Sequence, residues 1–358
     1  MAKENQQLLL SDFDYDLPKE LIAQTPLAKR DESKLLVLNR KNHTLEDKRF
    51  YDILDILQPG DVLVRNNSKV IPARLFGFKE ENHAHIELLL LKQLSNDNWQ
   101  CLIKGAKKVK NGTRLVFDET LLKAEVVEKY DEGLCIIHFV YNGIFNEILD
   151  KLGTMPLPPY IKEKLKDQGR YQTVYAKVEG SSAAPTAGLH FTNELLDKLA
   201  QKGVEILDLT LHVGLGTFRP VEKENVLEHK MHEEYYVLDK EVADRLNLAK
   251  KEHRRIIAVG TTSLRTLETV YKKYGCFKAD SGNTNIFIYP GIEVESIDGI
   301  ITNFHLPKST LVMLVSAIAT KEFIFEAYQH AIKNNYRFFS FGDAMLILWE
   351  IITKNKLN

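Results

Sequence analysis

The sequence predicts an α/β fold, with a mostly parallel sheet flanked by helices and a separate small all-β module, and three observations lead there. The first is length: 358 residues exceed what one hydrophobic core usually serves, so two domains are expected. The second is a change of texture after Pro59 and Gly60. From Asp61 to about Tyr141 the chain runs in short β-rich stretches (DVLVRN, ARLFGF, HIELLLL, WQCLI, TRLVF, CIIHFVY) broken by Gly, Asn and Asp, the spacing of a small sandwich or barrel. The third is an alternation of strand and helix signals in the carboxyl-terminal half, which predicts parallel strands covered on both faces.

In chain order, Arg49 to Leu57 reads as a short amphipathic helix with Phe50, Ile53, Leu54 and Leu57 on one side. Pro156, Pro158 and Pro159 then impose an extended linker. Thr192 caps a helix running to Gln201 and stopped at Gly203, followed by the strand VEILDLTLHV. Asp239 caps the next helix, which leads into IIAVG, and Thr262 or Ser263 opens another that ends at Gly275. IFIYPG and GIITNF read as strands, Ser309 begins a helix apolar nearly all round, and a final helix precedes the strand FFSFG.

Charged residues are 27% and apolar ones 44%, ordinary globular usage, and the formal charge is −1, so an RNA site must come from local basic clusters. Cys101, Cys135 and Cys276 form no CxxC pair, which fits a reducing cytoplasm better than a disulfide framework. Neither the amino-terminal run Leu8–Leu10 nor Thr310–Ala319 is long enough for a signal core or a membrane span.

Open α/β sheets bind ligands beyond the carboxyl ends of their strands, so the turns GLGTF, GTTSLR, HLPKST and SFGDAM, with SSAAPTAGLHF before a helix, are where chemistry belongs. The chain has neither GxGxxG opening a helix nor GxxxxGK[ST], and no GxSxG elbow. His212 falls on the polar side of its strand, where it can serve as a base or simply be hydrogen-bonded. Lys308 and Ser309 begin a helix whose free N–H groups attract anions, although an ordinary capped helix has the same sequence. The cluster from His229 to Glu233 matches neither HExxH nor HxxEH; it offers the alternative of a metal-dependent hydrolase. A non-catalytic RNA-binding module is a third class.

The wording and order of nine blocks resemble one family, the S-adenosylmethionine:tRNA ribosyltransferase-isomerases of queuosine biosynthesis. The blocks are FDYDLPKELIAQTP, VRNNSKVIPARLFG, MPLPPYI, YQTVYA, SSAAPTAGLHF, HVGLGTFRPV, VGTTSLRTLE, TNFHLPKSTLVMLV and FFSFGDAML. The resemblance implies an α/β domain over 1–60 and 151–358 with a β-barrel inserted at 61–150. It also implies transfer of the ribosyl part of S-adenosylmethionine to the aminomethyl group of 7-aminomethyl-7-deazaguanine at the wobble position of tRNA, with release of adenine and methionine. No metal is required.

On motif position, His212, His190, His232 and Asp343 are the expected acid and base groups. Gly188, Gly214, Gly216, Thr217, Thr261, Thr262 and Ser263 are expected to cradle S-adenosylmethionine, and Arg265, His305, Lys308 and Ser309 to meet its anionic groups. Arg65, Lys69, Arg74, Lys107 and Lys108 are expected to contact tRNA, and a monomer is expected.

Overall fold

The computed structural model describes residues 8–95, 97–105, 107, 109–163, 165, 167–214 and 223–349. It divides into two compact units: one from Met1–Ser68, Pro159–Lys177 and Pro185–Asn358, the other from Lys69–Pro158 and Val178–Ala184. The chain first forms β1 (Lys34–Asn39), β2 (Thr44–Arg49), α1 (Ile53–Ile56), β3 (Val62–Asn66) and β4 (Ser68–Val70). Six strands follow: β5 (Arg74–Lys79), β6 (His85–Ser95), β7 (Asn98–Lys104), β8 (Arg114–Asp118), β9 (Leu122–Lys129) and β10 (Leu134–Tyr141). After α2 (Phe145–Leu152) and β11 (Val178–Ser181), the rest comprises α3 (Asn193–Gln201), β12 (Glu205–Leu211), β13 (Glu234–Leu238), α4 (Lys240–Lys251), β14 (Ile256–Val259) and α5 (Gly260–Tyr274). It ends with β15 (Asp280–Thr284), β16 (Gly299–Asn303), α6 (Thr310–Ala319), α7 (Lys321–Lys333) and β17 (Ala344–Leu348).

Strands β5 to β10 close a barrel in the order β10-β7-β6-β5-β8-β9. Alternation along them sends Leu75, Leu88, Leu90, Cys101, Val126 and Ile137 into a dry interior, as a period of two requires. The sequence alone left sandwich and barrel open; closure gives every edge strand a partner.

The large sheet has nine strands, ordered β15-β13-β12-β3-β14-β16-β17-β1-β2. It is mixed rather than mostly parallel. Neighbours run parallel at β12–β3, β3–β14, β14–β16 and β1–β17, and antiparallel at β12–β13, β13–β15, β16–β17 and β1–β2. DVLVRN, read above as part of the β module, is β3 and lies between β12 and β14 at the middle of this sheet, so the chain leaves the α/β unit after Ser68 rather than at residue 60. Its burial, complete but for Arg65, is that of a central strand covered on both faces.

The expected helix over Arg49–Leu57 shrinks to a 3-10 turn and one α turn, because Thr44–Arg49 pairs with β1 instead. IFIYPG is not a strand; the outermost strand is Asp280–Thr284 beside β13. FFSFG likewise precedes the last strand, AMLIL, rather than forming it. Since β17 opposes β16, the SFGD turn arrives at the same sheet edge as the carboxyl ends of β12, β3, β14 and β16.

Candidate active site

At that edge the sheet's central strands end in polar residues whose bonding differs from one side to the other. Asn66 closes β3: its Nδ2 donates to the Leu211 carbonyl at 2.9 Å and its Oδ1 accepts from the Leu211 N–H at 3.0 Å. Thr210 Oγ1 donates to Asn67 Oδ1 at 2.8 Å. The two asparagines thus fix the last residues of β12 where the backbone ladder stops.

His212 comes next, its N–H bonded to the Tyr235 carbonyl at 2.9 Å and its ring parallel to that of Tyr235, with centroids 6.4 Å apart. Its Nδ1 is buried and has no hydrogen-bond partner, and burial lowers the basicity of the ring, so the imidazole is neutral at physiological pH.

The following Gly214 N–H donates to Glu234 Oε1 at 3.1 Å, and Glu234 forms an ion pair with Arg265, both side chains being almost wholly buried. One carboxylate neutralises the guanidinium, yet Arg265 Nε and Nη2 have no acceptor among the described residues. Thr262 Oγ1, one turn earlier on α5, is also buried and unbonded. Gly260, at φ +85°, makes the turn that sends the chain from β14 straight into α5. Thr261 is buried in the first turn of α5, and Ser263 Oγ donates to the Val259 carbonyl at 2.8 Å, which leaves it no free donor for a ligand.

Tyr175 packs beside Arg65 and Gly188 with its hydroxyl buried and, among the described residues, unpartnered, and desolvation pushes that phenol far above its usual range. Arg65 lies 4.2 Å from its ring centroid and is tied to Asp208 at 2.5 Å. A Cβ at Gly188 would fall 2.0 Å from the Tyr175 hydroxyl, so Gly188 is there to let the tyrosine approach. Arg65, expected to contact RNA, is therefore engaged in the wall of this site.

On the β16–β17–β1 side the expected catalytic groups are saturated. His190 is buried against Phe50, its Nδ1 2.7 Å from Ser33 Oγ and its Nε2 3.1 Å from Asn303 Nδ2. The Asn303 amide must donate, which makes Nδ1 the protonated nitrogen and leaves neither nitrogen free; burial, with Arg337 and Arg30 nearby, lowers the pKa to about 3. Asp343 is buried with Oδ1 accepting from the Lys34 N–H at 2.8 Å and Oδ2 from the Arg337 N–H at 2.7 Å, fastening the turn before β17 to β1. The hydrogen bonds of both side chains are thus used within the protein.

His305 is also neutral, lowered by burial to about 3, and Nε2 lies 2.9 Å from Thr302 Oγ1. It carries no positive charge for an anion. Ser309 caps α6 by accepting from the Val312 N–H at 3.3 Å, and Lys308 pairs with Asp14 at 2.8 Å, so the helix start is satisfied within the protein.

His232 is exposed in the loop before β13, two residues ahead of Glu234. No group of three or more His, Cys, Asp or Glu side chains among the described residues could hold a metal ion, which leaves the His229–Glu233 hydrolase without a ligand set. In the barrel unit, Lys69 pairs with Glu179 at 2.9 Å and Arg74 with Glu87 at 3.6 Å, while Lys107 is exposed. Gly216, Thr217 and Lys108 lie outside the described residues. Among the described residues no helix is long and apolar enough to cross a membrane.

Sequence reasoning passed over Asn66, Glu234, Tyr175 and Asn303. The paired asparagines ending a strand, and a glutamate opening the next one, were the signals for the first two.

Comparison with known proteins points the same way. Residues 10–347 match the family described as "Queuosine biosynthesis protein". An S-adenosylmethionine:tRNA ribosyltransferase-isomerase from Staphylococcus haemolyticus (strain JCSC1435) is 58% identical over 339 residues, covering 95% of this chain and 99% of that protein. A crystal structure of S-adenosylmethionine tRNA ribosyltransferase from Thermotoga maritima aligns with 94% of this chain and 100% of its own at 41% identity and a TM-score of 0.55. With the matched region spanning both units, this chain belongs to the queuosine biosynthesis protein family of S-adenosylmethionine:tRNA ribosyltransferase-isomerases.

Proposed function

We propose that the chain transfers and isomerises the ribosyl moiety of S-adenosylmethionine onto the aminomethyl group of 7-aminomethyl-7-deazaguanine at the tRNA wobble position, giving epoxyqueuosine-tRNA, adenine and methionine. The observation that carries this reading is the set of buried, unbonded polar atoms at one sheet edge: His212 Nδ1, Thr262 Oγ1, Tyr175 Oη, and Arg265 Nε and Nη2. Each costs about 1–3 kcal/mol if left unsatisfied, a cost that a polar ligand removes on binding.

The fit to S-adenosylmethionine follows from donor type. Arg265 offers two N–H groups to a carboxylate, and Thr262 and Tyr175 offer hydroxyls to sugar or base oxygens and nitrogens. When bound, the sulfonium supplies acidity at the adjacent C5′ hydrogens. His212 is the residue fitted to take that proton: neutral, desolvated, and with a ring nitrogen not already in use. Glu234 holds Arg265 and the Gly214 N–H, so one carboxylate sets both the guanidinium and the entry to the glycine turn. His232, exposed, is retained as the candidate acid. Lys69 and Lys107 are retained as tRNA contacts, since both have solvent-exposed ammonium groups.

The test supplies S-adenosylmethionine labelled either in the methyl carbon or in the ribose, together with tRNA carrying the precursor base. Ribose label should enter the RNA while free adenine appears. Methyl label in the RNA, or no adenine release, overturns the reading.

A further inference from the structure

Within the α/β unit, next to His190, a shallow crevice of about 20 Å³, open on one side to solvent, is lined by Arg30, Arg170, Ser33 and Ser340 together with the apolar Leu189 and Phe341. Its two arginines brace one another's segments. Arg30 Nη1 donates to the Leu189 carbonyl at 3.1 Å and Nη2 to the Gly169 carbonyl at 3.3 Å. Arg170 Nη1 donates to the Ala28 carbonyl at 3.3 Å and Nη2 to the Leu27 carbonyl at 2.6 Å.

Carbonyl oxygens satisfy these hydrogens but do not neutralise the charge. Neither guanidinium forms an ion pair with a carboxylate among the described residues, and Arg170 Nε is buried without an acceptor. The nearest acid, Asp167, spends Oδ1 on the Gly169 N–H at 2.9 Å. Burial and the Arg170 charge together depress the proton affinity of Arg30, with Asp167 only partly offsetting them. At the same sheet edge Arg65 has Asp208 and Arg265 has Glu234.

Two adjacent guanidiniums with unused N–H groups, half-open to solvent, match the non-bridging oxygens of a phosphate, which accept in pairs from planar forks. We propose that the Arg30–Arg170 crevice is a phosphate-binding subsite that takes one backbone phosphodiester of the tRNA substrate. This rests on the RNA-acting reading above. A strand laid along the sheet edge can present a phosphate here while its target base reaches the His212 side, so the subsite fixes register rather than taking part in the chemistry.

The experiment uses the full-length protein and its Arg30→Gln, Arg170→Gln and Arg170→Lys variants. Each Gln variant should weaken tRNA binding about tenfold, as loss of a charge-assisted bond does. The slope of log affinity against log salt should fall by about 0.9, the amount for one phosphate contact. The KM for S-adenosylmethionine should stay unchanged, and Arg170→Lys should restore the slope but only part of the affinity. Inorganic phosphate, compared with chloride at equal ionic strength, should raise the Tm of the wild type and not of Arg170→Gln.

Unchanged tRNA affinity and slope in a folded Gln variant overturns the proposal. So does a rise confined to the KM for S-adenosylmethionine, which would assign the crevice to the small substrate. If the wild type binds no tRNA at all, the function proposed above fails instead, and a phosphate-dependent Tm rise that persists in Arg170→Gln then removes the subsite independently.

Discussion

The two sides of one sheet edge both carry polar groups drawn out of solvent, yet they are built to opposite ends. On the β16–β17–β1 side, Ser33, His190, Asn303 and Thr186 form a network in which both imidazole nitrogens are taken, and beside it both Asp343 oxygens accept from backbone N–H groups. On the β12–β3–β14 side, His212, Thr262 and Arg265 keep buried atoms that nothing among the described residues satisfies. A buried polar group is kept either to hold strands together or to wait for a ligand, and completeness of its hydrogen bonding separates the two cases. Histidines from equally suggestive motifs therefore divide into a fastening, His190, and a candidate base, His212.

The sharpest way to break this contrast is to remove the two rings. His212→Ala should cut turnover by about 10²–10⁴-fold, the contribution of a positioned general base, with the Tm nearly unchanged. His190→Ala should act first on the Tm, because it strands Asn303 and Ser33 in a dry setting. Steady-state kinetics beside thermal unfolding reads both. If His212→Ala loses stability and keeps its turnover, the assignment of the two sides is reversed.

Acid should find the fastened side next. His190 and His305 titrate at about 3 in the folded chain, against about 6.5 when unfolded. Because the folded value is the lower one, the unfolded chain takes up these protons first, and the stability of keeping both rings neutral is present above 6.5 and lost as pH falls from 6.5 towards 3. The limit is about 5 kcal/mol for each ring. Asp343 acts in the reverse sense: burial holds its carboxyl above the ordinary range, so its protonation favours the folded state. Denaturant unfolding at a series of pH values should show a decline below 6.5 that is shallower in His190→Asn. A profile flat down to pH 4 would mean that these rings are not buried neutral.

How much of this was readable from the residues alone follows the range of the interactions. Alternation placed His212 on the polar side of β12, and Thr192 is indeed the cap of α3, its Oγ1 accepting from the Leu195 N–H at 3.1 Å. These are local signals. The position of β3 at the middle of the sheet, the antiparallel entry of β17 and the pairing of Glu234 with Arg265 were not readable, because each depends on partners far away in sequence. Motif position led to His190 and Asp343, but a motif marks a neighbourhood, and the bonds that exhaust both side chains come from Ser33, Asn303, Lys34 and Arg337.

The smallest effect tests the criterion where it opposes motif reasoning most directly. Ser309 begins α6 within HLPKST, a helix start that resembles an anion site. Yet its Oγ accepts from the Val312 N–H and donates to the Leu306 carbonyl at 2.7 Å, while Lys308 is occupied by Asp14. The helix that follows buries Val312, Met313, Leu314 and Val315, so the hydroxyl's task is to end a core helix cleanly. Ser309→Ala should cost about 1 kcal/mol, the usual loss of an N-cap, and lower the Tm by about 1–2 °C in a chain this long. KM values for S-adenosylmethionine and for tRNA should not move. A KM that rises while the Tm holds would put a ligand at this helix start, and satisfied bonding in the free protein would no longer distinguish a fastening from a site.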